Sequence, residues 1–395
     1  MKSLGMWAMV CLAAFIIGKT AKTEKRKRTK YNGLFMISKC RLQFSLAATV
    51  LCLLASCSSS KQEGMKDITQ LPTYKVEGVK YNQEEIITGK SWEFHRIGEN
   101  FFVFNGLPNS AAAVVRMSDC KILGEFMPKG MGPGECNAPC YAGSSAGEDT
   151  IYMYDISQYK LSEFLFPIQK EDTLRYVFSN AIRSSDQELY SNVCRLENGL
   201  FVGVRYNGTR HLFTLLDEHL DSICSFGDLP IPEEDDELKN FMPFQGVVSV
   251  EKNTFYFACK LLPFMCAYEI RDKNHIDLKF KYNYLPPVYT YKNGKVRIDE
   301  DKTIEFVRDL KLNGDYIWAA FHGEIISDVL EDPFEKGACQ SILLFDKRGI
   351  PLAKFELPIK GSHFCFSKDG QQLFLHTNDC DIYEFQVSDF LKHIE

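Results

Sequence analysis

Thr150-Ile151-Tyr152-Met153-Tyr154-Asp155-Ile156-Ser157-Gln158-Tyr159-Lys160-Leu161-Ser162-Glu163-Phe164-Leu165-Phe166 decides the fold. Two short runs rich in aromatic and branched side chains flank a polar four-residue turn, Ile156–Tyr159, which predicts paired antiparallel strands rather than a helix. The same pattern recurs outward in both directions. Before it stand Phe101–Phe104, Ala111–Met117, the turn Ser118-Asp119-Cys120 and Lys121–Phe126. After it comes Gly199–Tyr206 with His211–Leu216, the turn Asp217–Leu220 and Asp221–Phe226. A fourth copy joins Thr254–Cys259 and Met265–Arg271 through Asp272-Lys273-Asn274 to His275–Tyr282. The fifth runs Tyr316–Phe321, Ser341–Asp346 and Pro351–Phe355, and the sixth runs Gly361–Ser367, Gln371–Thr377 and Asp381–Val387.

Six strand clusters over the 338 residues from Ser58 to Glu395 give about 56 residues each, enough for four strands and long loops. A single such sheet cannot bury both its faces. Radial stacking buries them and leaves only short edges, so the pattern predicts an all-β fold, a six-bladed β-propeller over 71–395. A two-sheet sandwich is the competing fold, but it rarely needs so many similar units. The alternating run Thr73–Val79 is expected to pair with the last cluster and close the ring, and Ser388–Glu395 to form a helical turn or frayed end.

Ahead of the propeller, Leu54-Ala55-Ser56-Cys57 follows the apolar run Phe44–Leu54, with Lys39 and Arg41 before it. Basic, apolar and small-residue regions in that order make a secretory signal over 36–56. A cysteine at the cleavage point resembles a bacterial lipobox, which implies lipidation of Cys57 and attachment to a membrane through several acyl chains. A signal-anchor helix is the competing reading, but the run is shorter than the roughly 20 residues a span needs. Residues 57–70 begin Cys57-Ser58-Ser59-Ser60 and read as a tether. No Asp follows Cys57, so outer-membrane attachment is expected, on the periplasmic or the surface face. Residues 1–35 carry a second short apolar patch and the run Lys25-Arg26-Lys27-Arg28. They are expected to be an extension ahead of a true start at Met36, with a tandem anchor as the rival.

Ten of the 46 Lys and Arg residues but only one of the 52 Asp and Glu precede Cys57, so 36 basic side chains face 51 acidic ones from there on. That balance of −15 repels phosphate backbones and argues against nucleic acid as a partner. Export permits disulfides among the ten later cysteines, but their irregular spacing favours free thiols. Cys136 and Cys140 have the spacing of a local bridge or metal half-site, without a visible second half.

Between the first two clusters lies Pro128-Lys129-Gly130-Met131-Gly132-Pro133-Gly134-Glu135. With Gly124-Glu125-Phe126 before it and Ile151–Asp155 after it, this resembles the Gly-x-Gly-Pro-Gly-Glu segment of TolB-like six-bladed β-propeller lipoproteins of Bacteroidota, akin to NHL-like propellers. The resemblance extends from the lipobox over Cys57–Glu395, although the other blades match only in pattern. It implies a lipid-anchored propeller and carries no established catalytic residues. Physically, the glycines let the backbone turn tightly, Pro133 fixes one φ, and Glu135 projects from a defined position. Gly130, Gly132, Pro133, Gly134 and Glu135 are therefore a candidate binding loop, or equally a connection between blades in which Glu135 satisfies backbone N–H groups. A phosphate loop is excluded, since no Gly-Lys-Ser/Thr ending follows.

Chemistry is thinly marked elsewhere. The eight histidines are scattered and no His-Glu-x-x-His, Gly-x-Ser-x-Gly or cofactor motif occurs, so neither a metal site nor a cofactor is expected. His376-Thr377-Asn378-Asp379-Cys380-Asp381 is ligand-dense but fits a hairpin turn. Glu233–Glu237 reads as a solvated loop and Asn207-Gly208-Thr209 as a sequon or tight turn. The expectation is a non-enzymatic envelope module that binds a protein or glycan. The alternative is a lactonase-like or lyase-like enzyme with a metal on the axis, held by converging acids such as Asp155, Asp217 and Asp309.

Overall fold

The computed structural model describes residues 63–82, 91–105, 107–166, 173–185, 188–206, 210–231, 242–332 and 336–394. The leader, Cys57, the start of the tether, Asn207–Thr209 and Glu233–Glu237 lie outside these. The fold is an all-β propeller. Four blades are self-contained sheets. The first is Ser91–Ile97, Asn100–Asn105, Ser110–Arg116 and Ile122–Pro128. The second is Pro139–Ser144, Thr150–Asp155, Lys160–Leu165 and Val177–Arg183. The third is Tyr190–Arg195, Phe201–Arg205, His211–Leu216 and Ser222–Asp228. The fourth is Gly246–Glu251, Thr254–Cys259, Phe264–Asp272 and His275–Asn283.

Six separate blades do not appear in the hydrogen bonding. Past residue 306 the strands Val307–Asn313, Tyr316–Phe321, Cys339–Asp346, Pro351–Phe366, Gln372–Thr377 and Ile382–Gln386 form one eight-stranded sheet, completed by Thr73–Lys75 and Val79–Lys80. The cause is Pro351–Phe366, which runs 16 residues without a turn. Its first half pairs with Cys339–Asp346 and its second with Gln372–Thr377. Pro358 between them offers no N–H to either ladder.

The innermost strands meet in a closed cycle. Ser91–Ile97 touches Pro139–Ser144, and contact passes through Tyr190–Arg195, Gly246–Glu251 and Val307–Asn313 to Pro351–Phe366, which touches Ser91–Ile97 again. The N-terminal segment closes the last sheet: Val79–Lys80 runs antiparallel to Tyr383–Glu384, and Thr73–Lys75 lies parallel to Lys354–Glu356. Buried Asn82 seals the joint, accepting from Ile382 N (2.8 Å) and donating to Asp381 (2.9 Å). The end of the expected tether is also a strand. Glu63–Met65 adds in parallel to Lys281–Asn283, because that outer edge still has free backbone groups.

Stacking explains why the middle strands are apolar on both sides. Phe101, Phe102, Val103 and Phe104 are all fully buried, one face toward each neighbouring blade. Phe126 meets Phe102, Phe164 and Tyr176 edge to face at 4.9–5.4 Å, and each such pair adds about 0.5–1.5 kcal/mol beyond area burial. The C-terminal Val387–Leu391 is one helical turn whose Phe390 packs on Trp318 and Phe355.

The polar turns share one device. Asp217 accepts from His219 N (2.8 Å), Asp272 from Asn274 N (2.8 Å), Asp346 from Arg348 N (2.9 Å) and Asp369 from Gln371 N (3.1 Å). A carboxylate bonded to the backbone two residues on holds a hairpin turn without demanding glycine at every position.

Candidate binding cavity

The inner strands enclose a cavity of about 910 Å³, within the usual range for small-ligand sites. Its polar lining comes from Glu93 and His95 on Ser91–Ile97, Arg308, Asp309 and Lys311 on Val307–Asn313, His363 on Pro351–Phe366, and Lys260. Strand alternation explains the choice. Glu93 and His95 face inward while Phe94 between them is buried in the blade, and Asp309 and Lys311 flank buried Leu310 in the same way.

Bulges adjust that alternation. The register slips between Ser91 and Glu93, leaving Trp92 unpaired, and between Val307 and Asp309, leaving Arg308 unpaired. Ala142, Ser191 and Ser362 occupy equivalent bulges on three other inner strands. An extra residue re-aims its neighbours. It lets Trp92 and Glu93, or Arg308 and Asp309, line the cavity side by side.

Asp309 is the hub. Its carboxylate accepts from Leu310 N (2.8 Å) and Phe364 N (3.0 Å), pairs with Lys311 Nζ (3.1 Å) and lies 3.8 Å from His363 Nδ1. Burial pushes its pKa up, but Lys311, His363 and the Phe364 N–H outweigh that and hold the carboxyl well below the usual range. Glu93 accepts from His95 Nε2 (3.2 Å) and, across the blade boundary, from Tyr141 N (3.1 Å). Burial, helped by Lys311, lowers the His95 pKa, and burial also lowers that of His363, so both rings are held toward the neutral form. Arg308 donates to Glu305 (2.6 Å) and to Gly337 O (2.6 Å).

Lys260 differs from the other cations. Its backbone is pinned, N–H to Gln245 O (2.9 Å) and C=O from Phe306 N (2.7 Å). Among the described residues its ammonium makes no hydrogen bond and no ion pair. Burial lowers its pKa against the attraction of Glu305, and Arg308 lowers it further. Arg195 lies over the Tyr152 ring (4.8 Å) without a carboxylate partner. At the lining, Trp92 is 42% exposed, and Tyr141 packs against His95 with ring centres 4.2 Å apart and planes tilted by 38°.

The convergence of Asp155, Asp217 and Asp309 that the alternative enzyme reading needs does not occur. Asp309 lines the cavity, but Asp155 and Asp217 do not, each being spent on a turn. Among the described residues no group of three His, Cys, Asp or Glu could hold a metal ion. Cys136 and Cys140 are buried and free. Burial pushes the Cys136 thiol up to about 12 and that of Cys140 well above its ordinary value. His376 is buried beside Ser91 (2.9 Å), whereas Asp381 faces Lys80 (2.8 Å) and Asn82.

The loop Gly130–Glu135 sits between the first and second blades, and none of its residues lines the cavity. Glu135 accepts from Gly132 N (2.7 Å) within the loop. Lys160 of the second blade donates to Gly132 O (3.1 Å) and Glu135 O (2.6 Å), and Gln158 donates to Gly130 O (2.9 Å). Gly130 adopts φ 154°, which other residues rarely do, and a Cβ there would also displace the Glu135 carboxylate from its bond to Gly132 N. Pro133 is exposed and Gly134, at φ 72°, is buried against Phe178.

No family model matches the chain, and no curated protein matches it. Solved structures do. A candidate exported protein of Bacteroides fragilis superposes with a TM-score of 0.52 at 11% identity, over 82% of this chain and 98% of that one. A member of the DUF4221 family from Bacteroides vulgatus gives 0.48 at 10% identity, over 80% and 97%. The first likeness is one of fold.

Proposed function

We propose that the chain is an exported, lipid-anchored envelope protein that binds a glycan in its axial cavity, without catalysing a reaction. The observation that carries this is the cavity itself: bulged inner strands place polar side chains around about 910 Å³, with half-exposed Trp92 beside them. An aromatic face with a few fixed polar groups suits a sugar ring better than a flat protein surface. The candidate exported neighbour supports export, and the lipobox at Cys57 supports the anchor. We count six blades, reading the two halves of Pro351–Phe366 as the outer strand of one and the inner strand of the next. This keeps the TolB-like resemblance. The loop Gly130–Glu135 is assigned to joining blades, on its bonds to Lys160 and Gln158.

The test is binding of the purified, detergent-solubilised chain to an array of bacterial and host oligosaccharides. Reproducible binding that Trp92→Ala abolishes, with the variant folded, is the expected result. Binding to none, or binding untouched by Trp92→Ala, overturns the reading.

A further inference from the structure

We propose that the glycan taken by the axial cavity is acidic, and that Lys260 receives its anion. This rests on the reading of the cavity as a glycan site and names the ligand's chemistry. Within the cavity five cations, Arg195, Lys252, Lys260, Arg308 and Lys311, accompany three carboxylates, Glu93, Glu197 and Asp309, of which Lys252 and Glu197 are exposed. The two less exposed carboxylates are held by the protein, Glu93 through one oxygen by His95 and Tyr141 N, Asp309 by Lys311, His363 and two backbone N–H groups. Lys311 is thereby neutralised, and Arg308 is neutralised by Glu305. Among the described residues no carboxylate pairs with Lys260, Arg195 or the exposed Lys252, and of the two lysines Lys260 is the one set back from the surface.

Lys260 is half-buried, and an ammonium that gives up part of its hydration with no ion pair in return weakens the fold that holds it. Here it persists in a chain whose balance past Cys57 is −15, so general basicity does not explain it. Such a charge inside low-dielectric walls focuses an attractive potential on an entering anion. The neutral-leaning His95 and His363 line the cavity where sugar hydroxyls would sit, and half-exposed Trp92 at the lining would pack on the ring. A carboxylate, as on a uronic or sialic acid, and a phosphate on a sugar share the chemistry Lys260 would recognise.

The experiment is the same array sorted by class, with carboxylated, phosphorylated and neutral oligosaccharides, probed with the wild-type chain, Lys260→Met and Lys260→Arg. The expected result is binding confined to acidic members. Carboxylated or phosphorylated hits alone then say which group is read. Lys260→Met is expected to bind them about 10- to 100-fold more weakly, the size of a lost charge-assisted hydrogen bond, while Lys260→Arg retains most of the affinity. Lys260→Met is also expected to melt at a higher temperature than wild type, which separates lost binding from lost folding. Neutral sugars bound as well as acidic ones, or Lys260→Met binding as wild type, overturn the inference and leave the glycan site standing. Binding to no array member overturns both.

Discussion

Asp155→Ala is expected to lower the unfolding free energy by about 3–5 kcal/mol, the upper end for a single polar substitution. Asp155 is fully buried. One carboxylate oxygen accepts from Ser157 N (2.9 Å), Ser157 Oγ (2.7 Å) and Ala138 N (3.3 Å), the other from Asn137 N (2.6 Å) and Gln158 Nε2 (2.8 Å). It therefore fixes both the hairpin of the second blade and the entry of that blade's inner strand. Alanine leaves those donors without an acceptor where water does not enter, and each orphaned donor costs about 1–3 kcal/mol before relaxation. It also strips the charge that attracts buried Lys160, which in turn holds Gly132 and Glu135. Asp155→Asn keeps one acceptor oxygen and should lose less. Urea unfolding followed by circular dichroism measures the difference, and a loss under about 1 kcal/mol for alanine would show that the turn rebuilds itself around water.

The second large effect is at Asp309. Asp309→Ala is expected to destabilise by about 3–5 kcal/mol near neutral pH, because it leaves the Lys311 ammonium without its counter-charge and Leu310 N and Phe364 N without their acceptor. The effect depends on pH with a definite sign. A carboxyl whose folded pKa lies below its unfolded value stabilises above that unfolded value, roughly pH 4, and loses the contribution as pH falls further. Wild type and variant should therefore converge as the pH is lowered from 5 toward 2. Melting temperatures across that range check it, and a gap that stays constant would mean that the loss at Asp309 is one of packing rather than charge.

The sequence pattern reveals the middle strands and most outer ones, though not Val177–Arg183 of the second blade, and hides the innermost ones except the second half of Pro351–Phe366. Phe101–Phe104 and Thr254–Cys259 are apolar because neighbouring blades cover both their faces, and that is what composition detects. Ser91-Trp92-Glu93-Phe94-His95-Arg96-Ile97 and Val307-Arg308-Asp309-Leu310-Lys311 face a polar cavity on one side and are bulged, so neither the apolar run nor a clean period of two survives. The cavity was illegible because its lining is polar and bulged. One signal was present: charged residues two apart around a buried apolar one, Glu93-Phe94-His95 and Asp309-Leu310-Lys311. The blade count blurred at Pro351–Phe366, where the chain passes between sheets with no turn residue to mark the change. In the opposite direction, Gly130–Glu135 drew attention because glycine and proline are easily seen, yet its polar groups are largely spent on Lys160, Gln158 and its own backbone.

The most direct test of the axial cavity as the working site is a crystal structure of the chain with its tightest-binding acidic oligosaccharide. The account predicts the acid group on the Lys260 ammonium and a sugar ring against Trp92. An oligosaccharide seated on Gly130–Glu135 or along a blade edge, with the cavity holding only water, would contradict it.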